Sequence, residues 1–182
     1  MKHIHLPLAD EVIEGLRAGD SVLLSGPLYT GRDAAHGRFY ELVQKGQPLP
    51  VDLAGQTIYY VGPAPARPGH PVGPAGPTSS YRMDRYTPAL MELGLKGMIG
   101  KGRRTPAVKE SILRHHGVYF VAIGGAAALL AQRITAVEPI CYEDLGAEAV
   151  QRFTVNDFPV IVAIDCKGND LYETEPAKYA RE

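Results

Sequence analysis

Nine consecutive residues, Gly76-Pro77-Thr78-Ser79-Ser80-Tyr81-Arg82-Met83-Asp84, place three aliphatic hydroxyls, a guanidinium and a carboxylate behind a Gly-Pro turn. That set suits a small anion. Hydroxyls donate single hydrogen bonds, and a guanidinium presents paired N–H donors that match a carboxylate. Helix capping is the plainer explanation for much of it, with Ser79 or Ser80 as N-cap and Asp84 in the first turn. Capping leaves Arg82 unexplained, because a cation is unfavourable at the positive end of a helix dipole. Residues that break a local rule are where functional sites are expected.

Two other places carry compatible chemistry. Gly31-Arg32-Asp33 lies between a strand and a helix, where free helical N–H groups and an Arg fork can meet an anion. His36 follows one turn later and shares a face with Arg32 and Asp33; a helical His beside an Asp is also a common structural pair. Gly100-Lys101-Gly102 sets a lysine between glycines just after a strand, so a ligand can approach the backbone closely. It is not a nucleotide P-loop, because that motif needs Ser or Thr after GK and residue 102 is Gly. Taken alone, Lys101 reads as an exposed loop lysine beside Arg103 and Arg104. Gly124-Gly125 opens a small-residue helix at 126–132 that serves tight packing, with the two glycines open to anion contact.

These residues need a scaffold. Residues 10–19 have a helical apolar pattern (Val12, Ile13, Leu16), and 21–25 read as a strand ended by Gly26-Pro27. Asp33 caps a helix running to about Gln44. Residues 57–61 are a β-branched and aromatic strand. The segment 62–80 holds six Pro and four Gly up to Pro77 and cannot be a regular element. A helix is expected over 83–93, with Pro88 as its weak point. Strands follow at 97–99, 118–123, 134–140 and 158–164. Helices follow at 105–116, with Thr105 as N-cap and Pro106 first, and at 143–150. Alternating strands and helices predict a single α/β domain over 1–182 with a mixed, substantially parallel sheet flanked by helices. The polar end at 173–182 is expected to fray.

Composition narrows the function classes. The 182 residues are 45% hydrophobic and 21% charged with a net charge of −1, so nothing global points to nucleic acid or an anionic membrane. No apolar run is long enough to span a bilayer, and the N-terminus lacks a signal-peptide core. Cys141 and Cys166 make no metal motif, and a reducing cytoplasm explains them more simply than a disulfide.

In order along the chain, SGPLYTGRDAAH at 25–36, GPTSSYRMD at 76–84, IGKG at 99–102, IGGAAALLA at 123–131 and DFPVIVAIDCKGN at 157–169 resemble the β-type domain of the iron–sulfur hydro-lyases. That family comprises the class I fumarases and L-tartrate dehydratases. The resemblance covers about residues 10–172 and implies a swivelling-type β domain, fused behind an α-type domain in some relatives and separate in others. It implies a 4Fe–4S cluster held by three cysteines of an α subunit, with the open iron acting as a Lewis acid. Two distant cysteines here cannot supply such a ligand set. It further implies that Arg32, Arg82 and Lys101 bind the carboxylates of a C4 dicarboxylate, that Thr78 moves the proton, that Ser79 bonds substrate and that His36 faces the site as a second catalytic residue. Thr78 would need activation by a neighbour, since a free hydroxyl is a poor base.

The leading expectation is therefore the β subunit of a heteromeric hydro-lyase, α2β2 in form, hydrating fumarate to L-malate. The alternatives are the β subunit of L(+)-tartrate dehydratase, which yields oxaloacetate, and a stand-alone dicarboxylate-binding module. A purely structural subunit would leave the three cations unexplained.

Overall fold

The structure, a computed structural model, describes residues 1–122 and 127–179. Strands β1 (Lys2–His5), β2 (Ser21–Thr30), β3 (Thr57–Tyr59), β4 (Gly97–Gly100) and β5 (Val118–Ala122) run parallel, each hydrogen-bonded to the next. Strands β6 (Ile134–Cys141) and β7 (Val150–Ile164) are antiparallel additions. The sheet is therefore mixed and mostly parallel, as expected. It also closes partly on itself, because β7 pairs with both β5 and β2 and bends β2–β5 into a barrel-like ring.

Two strands are longer than their local sequence suggests. β2 continues past Gly26-Pro27 to Thr30 instead of stopping. A register shift falls between Leu24 and Gly26, where Gly26 takes φ +122° and a Cβ would lie 2.7 Å from the Leu6 carbonyl. Only glycine fits that kink. It lets the first half of β2 lie beside β1, the second half reach β3, and β7 pair along both. Likewise, the helix expected at 143–150 is a 3-10 segment at Glu143–Glu148, and Val150 already begins β7. The broken alternation of 150–157 conceals a strand whose burial is set by β2, distant in sequence, as well as by the neighbouring β6.

The helices are α1 (Asp10–Gly15), α2 (Asp33–Gln44), α3 (Thr87–Glu92), α4 (Pro106–His115), α5 (Ala127–Ala131) and α6 (Leu171–Tyr179). The helix expected over 83–93 is split into a 3-10 turn at Ser80–Met83 and α3, with Pro88 in the first turn of α3. Proline fits there because the first-turn N–H groups have no helical partner. α6 covers the start of the polar tail at 173–182. The helix start anticipated at Gly124, Gly125 and Ala126 lies outside the described residues.

Strand alternation divides the core. Tyr59, Ile99, Phe120 and Val162 enter one cluster with Leu24, Leu28 and Phe158. Their neighbours Ile58, Met98, Tyr119 and Ala163 enter a second, which α2, α3 and α4 cover with Phe39, Leu90 and Ile112. Each successive side chain on a strand changes face, so both faces of the ring are dry.

Candidate functional site

The carboxyl ends of parallel strands β2, β3 and β4 lie side by side, the usual edge for ligands in such sheets. Arg32 follows β2, and Lys101 follows β4. The irregular segment 62–80 then returns across the ends of β3 and β4. The Thr78 N–H donates to the Tyr60 carbonyl at 2.7 Å, and the Ser80 N–H donates to the Lys101 carbonyl at 2.9 Å. Ser79 and Lys101 form an isolated parallel bridge. Tyr59 ties the preceding turn down through its hydroxyl, which donates to the Ala75 carbonyl at 2.6 Å. Thr78, Ser79 and Lys101, separated by more than twenty residues of sequence, thus become neighbours through backbone pairing.

Close approach at this edge depends on small residues. A Cβ on Gly100 would overlap the Ser80 hydroxyl and stand 2.8 Å from the Tyr60 ring. The Ser80 hydroxyl instead meets the Tyr119 hydroxyl at 2.7 Å. A Cβ on Gly62 would press on the Arg32 side chain at 3.1 Å. Gly100 and Gly62 are therefore packing requirements at this edge, whereas a Cβ on Gly102 would meet nothing within 4 Å.

Arg82 joins Arg32 through Asp33. The Arg82 Nε lies 3.0 Å from one Asp33 oxygen, and the Arg32 Nε lies 3.9 Å from the other and 3.8 Å from Glu148. The last two separations compensate charge but are too long for hydrogen bonds. Arg32 Nε, Asp33 Oδ1 and Glu148 Oε1 are all buried without a hydrogen-bond partner among the described residues. Unpaired buried polar atoms are costly and call for a further group at the site. Lys101 is exposed and has no ion pair among the described residues. Two arginines and one lysine thus face two carboxylates, which leaves one positive charge for an anion. The sequence did not reveal Glu148, because the segment that carries it reaches Arg32 only after β7 has paired with β2.

His36 is placed differently from a residue that touches solvent or ligand. It is fully buried, with the rings of Phe39, Tyr60 and Tyr86 around it. Its Nδ1 lies 2.8 Å from the Arg32 carbonyl, so Nδ1 donates and Nε2 is left without a partner. The ring braces the backbone of Arg32. Burial disfavours its charged form and lowers its pKa to about 4, aided by Arg104 and opposed by Asp33 and the Arg32 carbonyl. The folded value lies below the usual 6.5, so the contribution to stability is complete above pH 6.5 and is lost as pH falls toward 4. The loss amounts to about 3 kcal/mol. In urea titrations at stepped pH, His36→Leu is expected to show a shallower acid decline between pH 6.5 and 4. Equal slopes in the two proteins would remove His36 from the acid response.

Asp84 also departs from its expected role. It does not complement a helix dipole at Ser80–Met83, and neither Ser79 nor Ser80 makes a side-chain cap. Its carboxylate is buried, pairs with the Arg104 Nε at 2.6 Å and accepts the Thr105 N–H at 2.7 Å. Arg104 also donates to the Tyr60 hydroxyl and to Thr87 Oγ1, each at 3.1 Å. Thr105 occupies the N-cap of α4 without a side-chain cap bond, and the N–H that Asp84 accepts is that of Thr105 itself. The signal that singled out Arg82, a cation beside a helix start, applies equally to Arg104 before Thr105-Pro106.

The sequence model described as "Fumarase C-terminus" matches residues 1–175. The chain belongs to the fumarase C-terminus family. Among curated relatives of this family, "Fumarate hydratase class I, anaerobic" of Escherichia coli (strain K12) is 41% identical over 152 residues, covering 82% of this chain and 28% of that protein. "Fumarate hydratase 2" of Leishmania major is 39% identical over 156 residues, with 85% and 28% coverage. "Putative L(+)-tartrate dehydratase subunit beta" of Methanocaldococcus jannaschii is 34% identical over 179 residues, covering 95% of this chain and 92% of that protein. This fumarase C-terminus chain therefore spans under a third of the fumarate hydratases and nearly all of the tartrate dehydratase subunit. No helix among its described residues is long and apolar enough to cross a membrane.

The cationic edge of this family member is open. Arg82 has 46% of its side chain exposed. A surface cleft of about 440 Å³ lies instead between Arg67–Pro74 and α5, and includes none of Arg32, Arg82 or Lys101. Cys141 and Cys166 are both free, and two thiols do not make the ligand set of an iron–sulfur cluster.

Proposed function

We propose that this chain is the β subunit of a heteromeric hydro-lyase and supplies one wall of an active site for a C4 dicarboxylate. Arg32, at the carboxyl end of β2 with a buried Nε that lacks a hydrogen bond among the described residues, and Arg82, joined to it through Asp33, carry this reading. Arg32, Arg82 and Lys101 take the two carboxylates of fumarate, which adds water to become L-malate. A bound carboxylate would satisfy the Arg32 Nε that lacks a hydrogen bond. Proton removal beside a carboxylate builds negative charge on it, where fixed cations help most. Ser79 donates a hydrogen bond to substrate. Thr78 stands at the position for proton transfer and needs a base from the opposite wall. His36 positions Arg32 from behind.

The 4Fe–4S cluster belongs to an α subunit within an α2β2 assembly. Support comes from the open cationic edge, the unsuited thiols here and a relative of nearly equal length named as a subunit beta. That same relative favours tartrate dehydration to oxaloacetate as a second reading. Anaerobic mixing with the α partner, followed by iron and sulfide reconstitution and parallel assays on fumarate and L(+)-tartrate, tests both. The lone chain is expected to bind no cluster and turn over neither substrate, while the mixture converts one of them. Turnover by the lone chain would sink the shared-site reading.

A further inference from the structure

At the opposite end of the sheet, three residues of different ligand chemistry converge. Glu14 lies in the last turn of α1, His116 directly follows α4, and Cys166 lies just beyond β7. One donor atom from each falls within 4.8 Å of the other two. The Glu14 carboxylate and His116 Nδ1 are 3.0 Å apart, with about half of each side chain exposed. Cys166 is buried beneath them, its thiol directed at the Ile13 carbonyl of α1 at 3.7 Å. His116 holds the left-handed conformation, φ 51° and ψ 53°. Glycine or asparagine is usual at such a helix end, and histidine adopts it at a cost.

We propose that Glu14, His116 and Cys166 form a binding site for a borderline divalent cation of the zinc type, which staples α1, α4 and the end of β7 together. Thiolate and imidazole exclude the hard cations that require oxygen ligands, whereas a set of one sulfur, one nitrogen and one oxygen suits Zn2+. Thiolate and carboxylate together match the charge of a dication. Binding breaks the Cys166 S–H bond, forms a metal–sulfur bond and releases the proton to solvent. Bond lengths of about 2.3 Å to sulfur and about 2.0 Å to nitrogen or oxygen separate tetrahedral neighbours by about 3.5 Å. Rotation of the exposed Glu14 and His116 side chains widens their 3.0 Å separation slightly and brings both within that distance of the Cys166 thiol. The outer face is open, so water completes the fourth position.

The site stands apart from the cationic edge. His116 precedes β5 and Glu14 precedes β2, so both lie at the amino ends of the parallel strands. Its effect is on the stability of the fold, by linkage to the folded state.

The test is titration of the full chain, freed of metal by chelator dialysis, with Co2+ as a spectroscopic stand-in and Zn2+ as competitor. One equivalent of Co2+ is expected to give thiolate-to-cobalt charge-transfer absorption and tetrahedral visible bands, both erased by Zn2+. Zn2+ alone should raise the melting temperature. Cys166→Ser should abolish the charge-transfer band, and Glu14→Gln and His116→Asn should each weaken binding at least tenfold. The asparagine retains the left-handed backbone, and both variants are at exposed side chains, so the fold survives. Absence of the band, its persistence in Cys166→Ser through Cys141, or unchanged affinity in the Glu14 and His116 variants would overturn the site.

Discussion

Arg104→Met is expected to destabilise the chain by about 3–5 kcal/mol, the usual result of stranding one partner of a buried ion pair. The Arg104 side chain is wholly buried, and Asp84 is only 5% exposed. Without Arg104, the Asp84 carboxylate keeps the Thr105 N–H but loses its countercharge. The guanidinium also fills the space between two rings, 4.7 Å from the Tyr119 centroid and 5.3 Å from that of Tyr60. For a chain of this size the loss corresponds to a melting temperature lower by roughly 10 °C. The double variant Asp84→Leu/Arg104→Met should be more stable than Arg104→Met alone, because no charge is left unpaired. Thermal melts of the three proteins check this, and a single variant that melts with wild type would show the pair to be dispensable. The pair joins the stretch 76–84 to the start of α4, so the damage should spread to Thr78 and Arg82.

Arg82→Ala should do the reverse, sparing the fold and removing activity. Arg82 is 46% exposed and its partner Asp33 35%, and an ion pair this accessible to water contributes little to stability, so the melting temperature should shift by no more than about 2 °C. In the reconstituted enzyme kcat/KM should fall about 100-fold, or about 3 kcal/mol, the value of a charged hydrogen-bonded contact. Arg82→Lys should recover part of that loss, since lysine restores charge but not the paired fork. Steady-state kinetics on both candidate substrates, with melts as a control for folding, make the measurement. Unchanged turnover in Arg82→Ala would remove Arg82 from the substrate wall.

Local patterns were enough for some elements and not for others. The helix at Asp33–Gln44 and the strands at Thr57–Tyr59, Gly97–Gly100 and Val118–Ala122 follow from periodicity and flanking turn residues, because their burial is set within one or two neighbouring elements. β7 was read only in its apolar second half. Its first half, Val150 onward, pairs with the neighbouring β6 and also with β2, which the closure of the ring brings in from far away in the sequence. The Gly26 kink belongs to the same closure and looks locally like a strand end. Among candidate site residues, Arg32, Thr78, Ser79, Arg82 and Lys101 were legible as motif chemistry. Their common edge was not, since backbone bonds from Thr78 to Tyr60 and from Ser80 to Lys101 join segments distant in the chain.

By itself, then, the sequence determined the α/β class, the family and the cations proposed to meet a dicarboxylate, because residue type and short spacing carry that information. Only the tertiary structure decided what surrounds them. Glu148 and Asp33 share the charge of Arg32, Asp84 turns away from Arg82 to a buried Arg104, and His36 is sealed behind the Arg32 backbone. The Glu148 and Arg104 pairings and the burial of His36 arise from contacts between segments far apart in sequence, and no local pattern encodes them.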